Sequence, residues 1–203
     1  MRIIAGKYKG RKLKGPRGRE FRPTSDRVKE AIFNILQGSV AGKDVLDLYA
    51  GSGSLGLEAL SRGAGSCVFV EINKFHARIL KNNIQNIAPE DKIRVYICPV
   101  EQAIKRLKND NLYFDLVFLD PPYQEEILHK TLFLLSEPGG IIKKDVVIVA
   151  EHSSKAKPFD SYGTIYKTRE YIYGDTAISF FCFHKTDNLG GPENGESYMS
   201  GKF

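Results

Sequence analysis

The sequence predicts an α/β fold: a doubly wound, mostly parallel sheet with helices on both faces, preceded by a small basic β-hairpin. Three observations carry this expectation. From Lys43 onward, apolar runs of strand length alternate with segments of helical periodicity. A glycine-rich turn, DLYAGSGSLG at 47–56, joins the first of those strands to its helix. Residues 1–29 hold eleven Lys and Arg against two acids, a net +9, which leaves −3 on the rest of a chain whose total is +6.

The elements follow in order. MRIIAGKYKGRKL sets β-forming residues between glycines, the pattern of a short hairpin, and residues 1–21 are the expected arm. In RPTSDRVKEAIFNILQG, residues Val28, Ala31, Ile32, Ile35 and Leu36 recur at helical spacing. Thr24, Ser25 or Asp26 can cap that helix and Gly38 can end it. VLDLY then reads as a strand and SLGLEALSR as a helix. SCVFVEI and KFHARILKNNIQN repeat the pair, as do KIRVYIC and VEQAIKRLKN. FDLVFLD is a fourth strand, EEILHKTLFLLSE a helix, and IIKKDVVIVAEH contains a fifth strand. Two last strands, roughly 161–169 and 176–184, form a hairpin across the Gly-Asp of YIYGDTA. The main domain is expected over 22–185. Residues 186–203, rich in Gly, Asn, Ser and Glu, read as a disordered tail.

Composition narrows the function classes. The 203 residues are 42% hydrophobic, enough for one domain with a real core. No apolar run of about 18 residues suggests a membrane span, and no signal-peptide stretch opens the chain, so a cytoplasmic setting is expected. Cys67, Cys98 and Cys182 have no CxxC partner, and His76, His129, His152 and His184 lack HExxH spacing. Buried thiols and no protein-bound metal are the expectation. No coiled coil or spare apolar segment demands an oligomer, so the reading is a monomer. The basic arm on an acidic body suits a polyanion.

Gly51, Gly53 and Gly56 satisfy GxGxxG, which permits a tight turn and close approach of a ligand to a helix N-terminus. Glu71 stands 20 residues after Gly51, where a nucleotide-binding unit accepts ribose hydroxyls. Asp47 stands four residues before Gly51. A carboxylate there repels a pyrophosphate and suits a ligand bearing an ammonium group. S-adenosyl-L-methionine, with adenosine, ammonium and sulfonium but no phosphate, fits better than a dinucleotide.

The fourth strand runs into FDLVFLDPPYQEE. Consecutive prolines cannot continue a central strand, so the chain leaves the sheet at Asp120 in a stiff turn through Pro121 and Pro122. Ligands of doubly wound sheets bind outside the carboxyl ends of strands, so this turn faces the same crevice as the glycine loop. Tyr123 can stack on a nucleobase, and Asp120 with the Pro121 carbonyl can accept hydrogen bonds from an exocyclic amine.

These residues resemble the (D/N/S)-PP-(Y/F/W) signature of Rossmann-like class I methyltransferases that modify exocyclic amines of bases. MRIIAGKYKGRKL, RPTSDRVKEAIFNIL, DLYAGSGSLGLEALSRGA and LDPPY also occur in the order typical of the RsmD-like bacterial family. That resemblance covers about residues 1–185. It implies S-adenosyl-L-methionine-dependent methylation of a guanine N2 in 16S ribosomal RNA, free or in the small ribosomal subunit. It further implies that Asp47, Gly51, Gly53 and Glu71 line the donor site. The third strand departs from the family's pattern, ending in Cys98-Pro99-Val100-Glu101 where a small residue, an acid and alanine are usual, so backbone near Val100 is expected at the adenine instead. Asp120, Pro121, Pro122 and Tyr123 would hold the guanine. Arg22, Thr24 and Arg27 match the family's RPT-x-x-R segment, which would close over donor or RNA. Lys7, Lys9, Arg11 and Lys12 supply the basic arm. The alternatives are a DNA adenine-N6 or cytosine-N4 methyltransferase, a non-catalytic nucleotide- or RNA-binding module, and a dinucleotide-dependent dehydrogenase. The last leaves Asp47 and DPPY unexplained.

Overall fold

The structure, a computed structural model, describes residues 1–15, 26–122 and 125–183. Thr24, Arg22, Tyr123 and the tail from 184 lie outside the described residues, and with them the roles expected there.

Within the described residues, helices and strands alternate through the fifth strand and three further strands follow: α1 (Asp26–Leu36), β1 (Asp44–Leu48), α2 (Ser54–Ser61), β2 (Ser66–Val70), α3 (Lys74–Ile87), β3 (Ile93–Tyr96), α4 (Val100–Asn109), β4 (Phe114–Leu119), α5 (Glu125–Leu135), β5 (Ile142–Ser153), β6 (Ser161–Tyr162), β7 (Ile165–Tyr173) and β8 (Thr176–Phe183). They build one sheet in the order β3-β2-β1-β4-β5-β8-β7-β6. β1 to β5 pair in parallel, and β8 joins antiparallel to β5. The order reverses between β1 and β4, so the loops after those two strands diverge and open a crevice at their carboxyl ends.

Alternation along the strands decides which helices cover which face. Val45, Phe69, Leu116, Phe118 and Val149 point to one side, where α1, α2 and α3 bury Ile32, Leu57 and Leu80. Leu46, Val68, Val117, Leu119 and Ile148 point to the other, against Ala103 and Leu107 of α4 and Leu128 and Leu132 of α5. Strands covered on both faces need near-continuous apolar runs, which is why VLDL, SCVFV and FDLVFL are legible as strands.

The terminal hairpin differs from its expected bounds. β7 covers 165–173 rather than 161–169, because Gly163 adopts a left-handed φ of 52° and folds the short β6 back on the start of β7. The expected Gly-Asp turn lies between β7 and β8.

The basic N-terminal segment is bound to the body over residues 1–15. It doubles back through an Arg2–Lys12 bridge, with Ile3 N–H donating to the Arg11 carbonyl. Glu58 of α2, fully buried, accepts the N–H groups of Ile4 at 2.8 Å and Ala5 at 3.1 Å, and Nε of Arg62 at 2.8 Å. Gly6 is required here: a Cβ at that position would stand 1.8 Å from the Ser61 carbonyl oxygen. Lys29 of α1, also fully buried, donates to the Arg2 carbonyl at 2.7 Å and to Ser54 Oγ at 3.2 Å, and lies 3.8 Å from Glu58. Burial pushes the Lys29 pKa down, and Glu58 opposes that.

Removing one partner from such a buried pair leaves the other charge uncompensated. Glu58→Ala is therefore expected to cost about 3–5 kcal/mol of folding free energy in urea denaturation. A loss under about 1 kcal/mol would mean that the Glu58 contacts to Lys29 and to the N-terminal segment contribute little to the fold.

Candidate active site

A cavity of about 700 Å³ opens at the carboxyl ends of β1, β2 and β4. Asp47, Gly51, Glu71, Val100, Asp120, Pro121 and Pro122 all line it, so the two motifs do converge on one crevice. Gly53 does not line it. Its backbone is left-handed at φ 84°, and a Cβ there would stand 2.5 Å from Leu80 Cδ1, so this glycine serves packing beneath the loop. Gly56 has the same task against Phe69, where a Cβ would stand 2.3 Å from the ring.

Two carboxylates shape the loop. Glu71 accepts the Gly51 N–H through Oε2 at 2.8 Å and the Asn73 N–H through Oε1 at 2.7 Å. Asp47 lies inside β1, and its Oδ2 accepts the Gly56 N–H at 2.9 Å. The N–H groups that a pyrophosphate would use at a helix N-terminus are thus partly occupied by fixed acids. Asn83 ties the loop to the N-terminal segment: its Nδ2 donates to the Ser52 and Lys14 carbonyls, and its Oδ1 accepts the Lys14 N–H.

The rest of the cavity wall is mixed. Val70, Ile72, Cys98, Pro99 and Val100 give an apolar side suited to a flat ring. Lys130 lines the cavity but is paired with Glu101 at 2.6 Å, and no arginine is among the described lining residues. Tyr49, at a left-handed φ of 63°, shares a 2.6 Å hydrogen bond with Thr131 of α5. Tyr49, Lys130 and Thr131 were not legible as cavity residues. Tyr49 sits inside the glycine motif, but nothing in its pattern marks it, and the other two depend on how α5 packs.

Asp120 is half-buried just beyond β4, Pro121 is buried and Pro122 exposed. Among the basic candidates, Lys7 pairs with Asp91 at 2.6 Å, which raises its pKa, and Arg11 donates to the Asn86 and Ile87 carbonyls at the end of α3. Lys9, Lys12 and Arg27 are exposed and have no carboxylate partner among the described residues. Those residues include no cluster of three metal-ligating side chains and no helix long and apolar enough to cross a membrane.

A parallel sheet reversing between β1 and β4, a glycine loop and an Asp-Pro-Pro turn at one crevice together make the class I methyltransferase architecture. Residues 1–182 match the family described as Conserved hypothetical protein 95, and the chain belongs to that family. Ribosomal RNA small subunit methyltransferase D of Haemophilus influenzae is 39% identical over 158 residues, covering 78% of this chain and 81% of that protein. YlbH of Bacillus subtilis is 38% identical over 181 residues, covering 89% of this chain and 98% of its own. The solved structure of Escherichia coli yhhF aligns with a TM-score of 0.77 at 32% identity, covering 90% of this chain and 97% of that one.

Burial pushes the Asp47 pKa from 3.8 up to about 7, and the nearby Glu71 adds to the rise while the Gly56 N–H opposes it. A raised carboxylate holds its proton longer in the folded state than in the unfolded one. Stability from this group therefore falls as pH rises from about 4 to about 7. Asp47→Asn keeps an acceptor for Gly56 and cannot ionise. Its stability relative to the parent protein is expected to rise across that window by up to about 4 kcal/mol, followed by urea denaturation at each pH. A difference independent of pH would show that Asp47 is ionised throughout.

Proposed function

We propose that this protein transfers a methyl group from S-adenosyl-L-methionine to the exocyclic N2 amine of a guanine in small-subunit ribosomal RNA. The observation that carries the reading is the joint lining of one cavity by Asp47, Glu71 and the Asp120-Pro121-Pro122 turn. Homology supports the coarser statement, an rRNA methyltransferase; several relatives bear the name ribosomal RNA small subunit methyltransferase D. The narrower choice of guanine N2 rests on the chemistry of the turn and the family resemblance. The cytoplasm follows from the substrate.

The cavity fits the donor. Its carboxylates favour an ammonium and disfavour phosphate, and its apolar side accommodates adenine. Asp47 and the Gly51 loop would face the amino-acid portion, Glu71 the ribose, and Ile72, Pro99 and Val100 the adenine. When bound, this group supplies an electrophilic sulfonium methyl. The chain must then hold the acceptor in line with it. A guanine amine is a poor nucleophile because its lone pair is delocalised into the ring. Hydrogen bonds from that amine to the Asp120 carboxylate and the Pro121 carbonyl favour a pyramidal nitrogen with the lone pair exposed. Pro122 has no N–H to compete for those acceptors. Positioning of this kind can contribute about 7–11 kcal/mol to lowering a barrier. Asp120 can take the released proton. The target base must be unstacked, as in an open RNA loop.

The test is transfer of labelled methyl to small-subunit rRNA, free and in assembled subunits, followed by nucleoside analysis. Label in N2-methylguanosine is expected, and Asp120→Ala is expected to lower turnover at least about 100-fold with donor affinity nearly unchanged. Label in N6-methyladenosine would overturn the acceptor, and equal loss of turnover and donor binding would make Asp120 structural.

Lys9, Lys12 and Arg27, exposed and without a carboxylate partner among the described residues, are the basic candidates for phosphate contacts. Replacing Lys9 and Lys12 with Ala is expected to flatten the salt dependence of RNA binding by roughly 0.7 per lost contact on single-stranded RNA. An unchanged slope in a salt titration would remove them from the interface.

A further inference from the structure

Resting on the proposed RNA substrate, the structure points to a second contact for it on the acceptor side. β4 and β5 are adjacent and parallel, with Leu119 opposite Ala150, so the turn after β4 and the loop after β5 leave the same edge of the sheet. Between them is a second cavity of about 190 Å³, lined by Pro121, Pro122, Glu125, Leu128, His152, Ser153, Lys155 and Ala156. Pro121 and Pro122 line both this cavity and the donor cavity, so the diproline turn is a shared wall.

The loop itself, SKAKPFD at 154–160, places two lysines and one aromatic ring at every second position, 155, 157 and 159. Lys155 and Lys157 are exposed and have no carboxylate partner among the described residues. Phe159 is 55% exposed, with its ring centroid 4.4 Å from that of His129. The ring also lies 5.5 Å from that of Tyr162 and 6.5 Å from that of Phe133, so it is held in place by an aromatic cluster while more than half of it stays open to a nucleic-acid base.

The backbone holds the loop in this presentation. Ser154 N–H donates to the Asp175 carbonyl, Ala156 N–H to the Ser153 carbonyl, Lys157 N–H to Glu125 Oε1, and Phe159 N–H to the Tyr162 hydroxyl. Lys167 Nζ donates to the Pro158 carbonyl at 3.3 Å and pairs with Asp160 at 3.1 Å, which offsets the one acid within the loop. A loop tied at this many points loses little conformational freedom on binding.

We propose that residues 154–160, with the small cavity they form against Pro121 and Pro122, are a preorganised contact for the single-stranded RNA that flanks the target base. Phe159 stacks a neighbouring base, and Lys155 and Lys157 take phosphates. The single-stranded form is favoured because a protruding ring can stack only on an unpaired base.

The experiment uses the full chain and a short single-stranded guanine-containing RNA, with fluorescence anisotropy read across a salt series. Phe159→Leu is expected to weaken binding by about five- to a hundred-fold, and Phe159→Tyr to restore most of it. Lys155→Ala with Lys157→Ala keeps the backbone N–H to Glu125 and is expected to make the salt slope shallower by about 1.4. Calorimetric S-adenosyl-L-methionine affinity and the melting temperature are expected to stay at parental values. Parental RNA affinity and salt slope in both sets of variants would overturn the contact, as would a Phe159→Tyr variant no better than Phe159→Leu. These binding readouts do not depend on turnover. Absence of methyl transfer by the parent protein would instead count against the proposed reaction.

Discussion

The site depends on two acids held where acids are costly. Asp47 and Glu71 sit at the carboxyl ends of neighbouring parallel strands, each over 90% buried, and each accepts an N–H from the glycine loop. Their cost in desolvation is partly offset by those hydrogen bonds. The arrangement has a chemical consequence. A loop of this kind ordinarily offers its N–H groups and helix dipole to phosphate. Here the Gly51 and Gly56 N–H groups already face carboxylates, so the pocket has been turned from an anion site into one suited to a cation and to hydroxyl donors. GxGxxG alone is silent on that difference.

The same loop is held from its other side by the N-terminal segment. Asn83 bridges the Ser52 and Lys14 backbones, Lys29 bridges Arg2 and Ser54, and Glu58 takes two N–H groups of the segment. Met1, Ser52 and Ser54 all line the donor cavity. The segment expected to be a basic arm is thus, over residues 1–15, part of the scaffold around that cavity. Two of its cations, Lys7 and Arg11, are committed to holding it there. Deleting the segment would expose Glu58 and Lys29 together, so its loss could not report on RNA contact alone.

How much was legible follows from the range of the interactions. The strands were, because burial on both faces forces apolar runs, and the helices were, because one covered face forces a 3.6-residue period. Asp47, Glu71 and Asp120 were legible as residues of the cavity because an acid at the end of a buried strand is costly to desolvate and gains most where a ligand can meet it. Gly53 misled, because a glycine needed for internal packing looks the same in sequence as one needed for ligand approach. Only the position of Leu80, 27 residues later, separates the two cases. Lys130 and Thr131 were invisible for a similar reason: their place in the cavity is set by how α5 packs on the sheet. The N-terminal segment's attachment was hidden because Glu58 and Lys29 read as ordinary charges on amphipathic helices.

The Asp-Pro-Pro turn is built on a different principle from the glycine loop. The donor loop is shaped by polar contacts that pH and ligand charge can alter, whereas the turn after β4 is shaped by covalent stiffness. β4 is buried almost throughout, and one residue beyond it two prolines fix their own φ and hold the Asp120 backbone in the extended region. A reaction that relies on positioning gains from that rigidity, because a misplacement of about 1 Å can cost on the order of 100-fold in rate. It also restricts where substrate adaptability can reside. Under the proposed reaction, a fixed glycine loop and diproline turn would leave differences among RNA contexts to surfaces farther out, such as the lysines and the exposed ring of the loop after β5, where affinity could change without moving the reacting atoms.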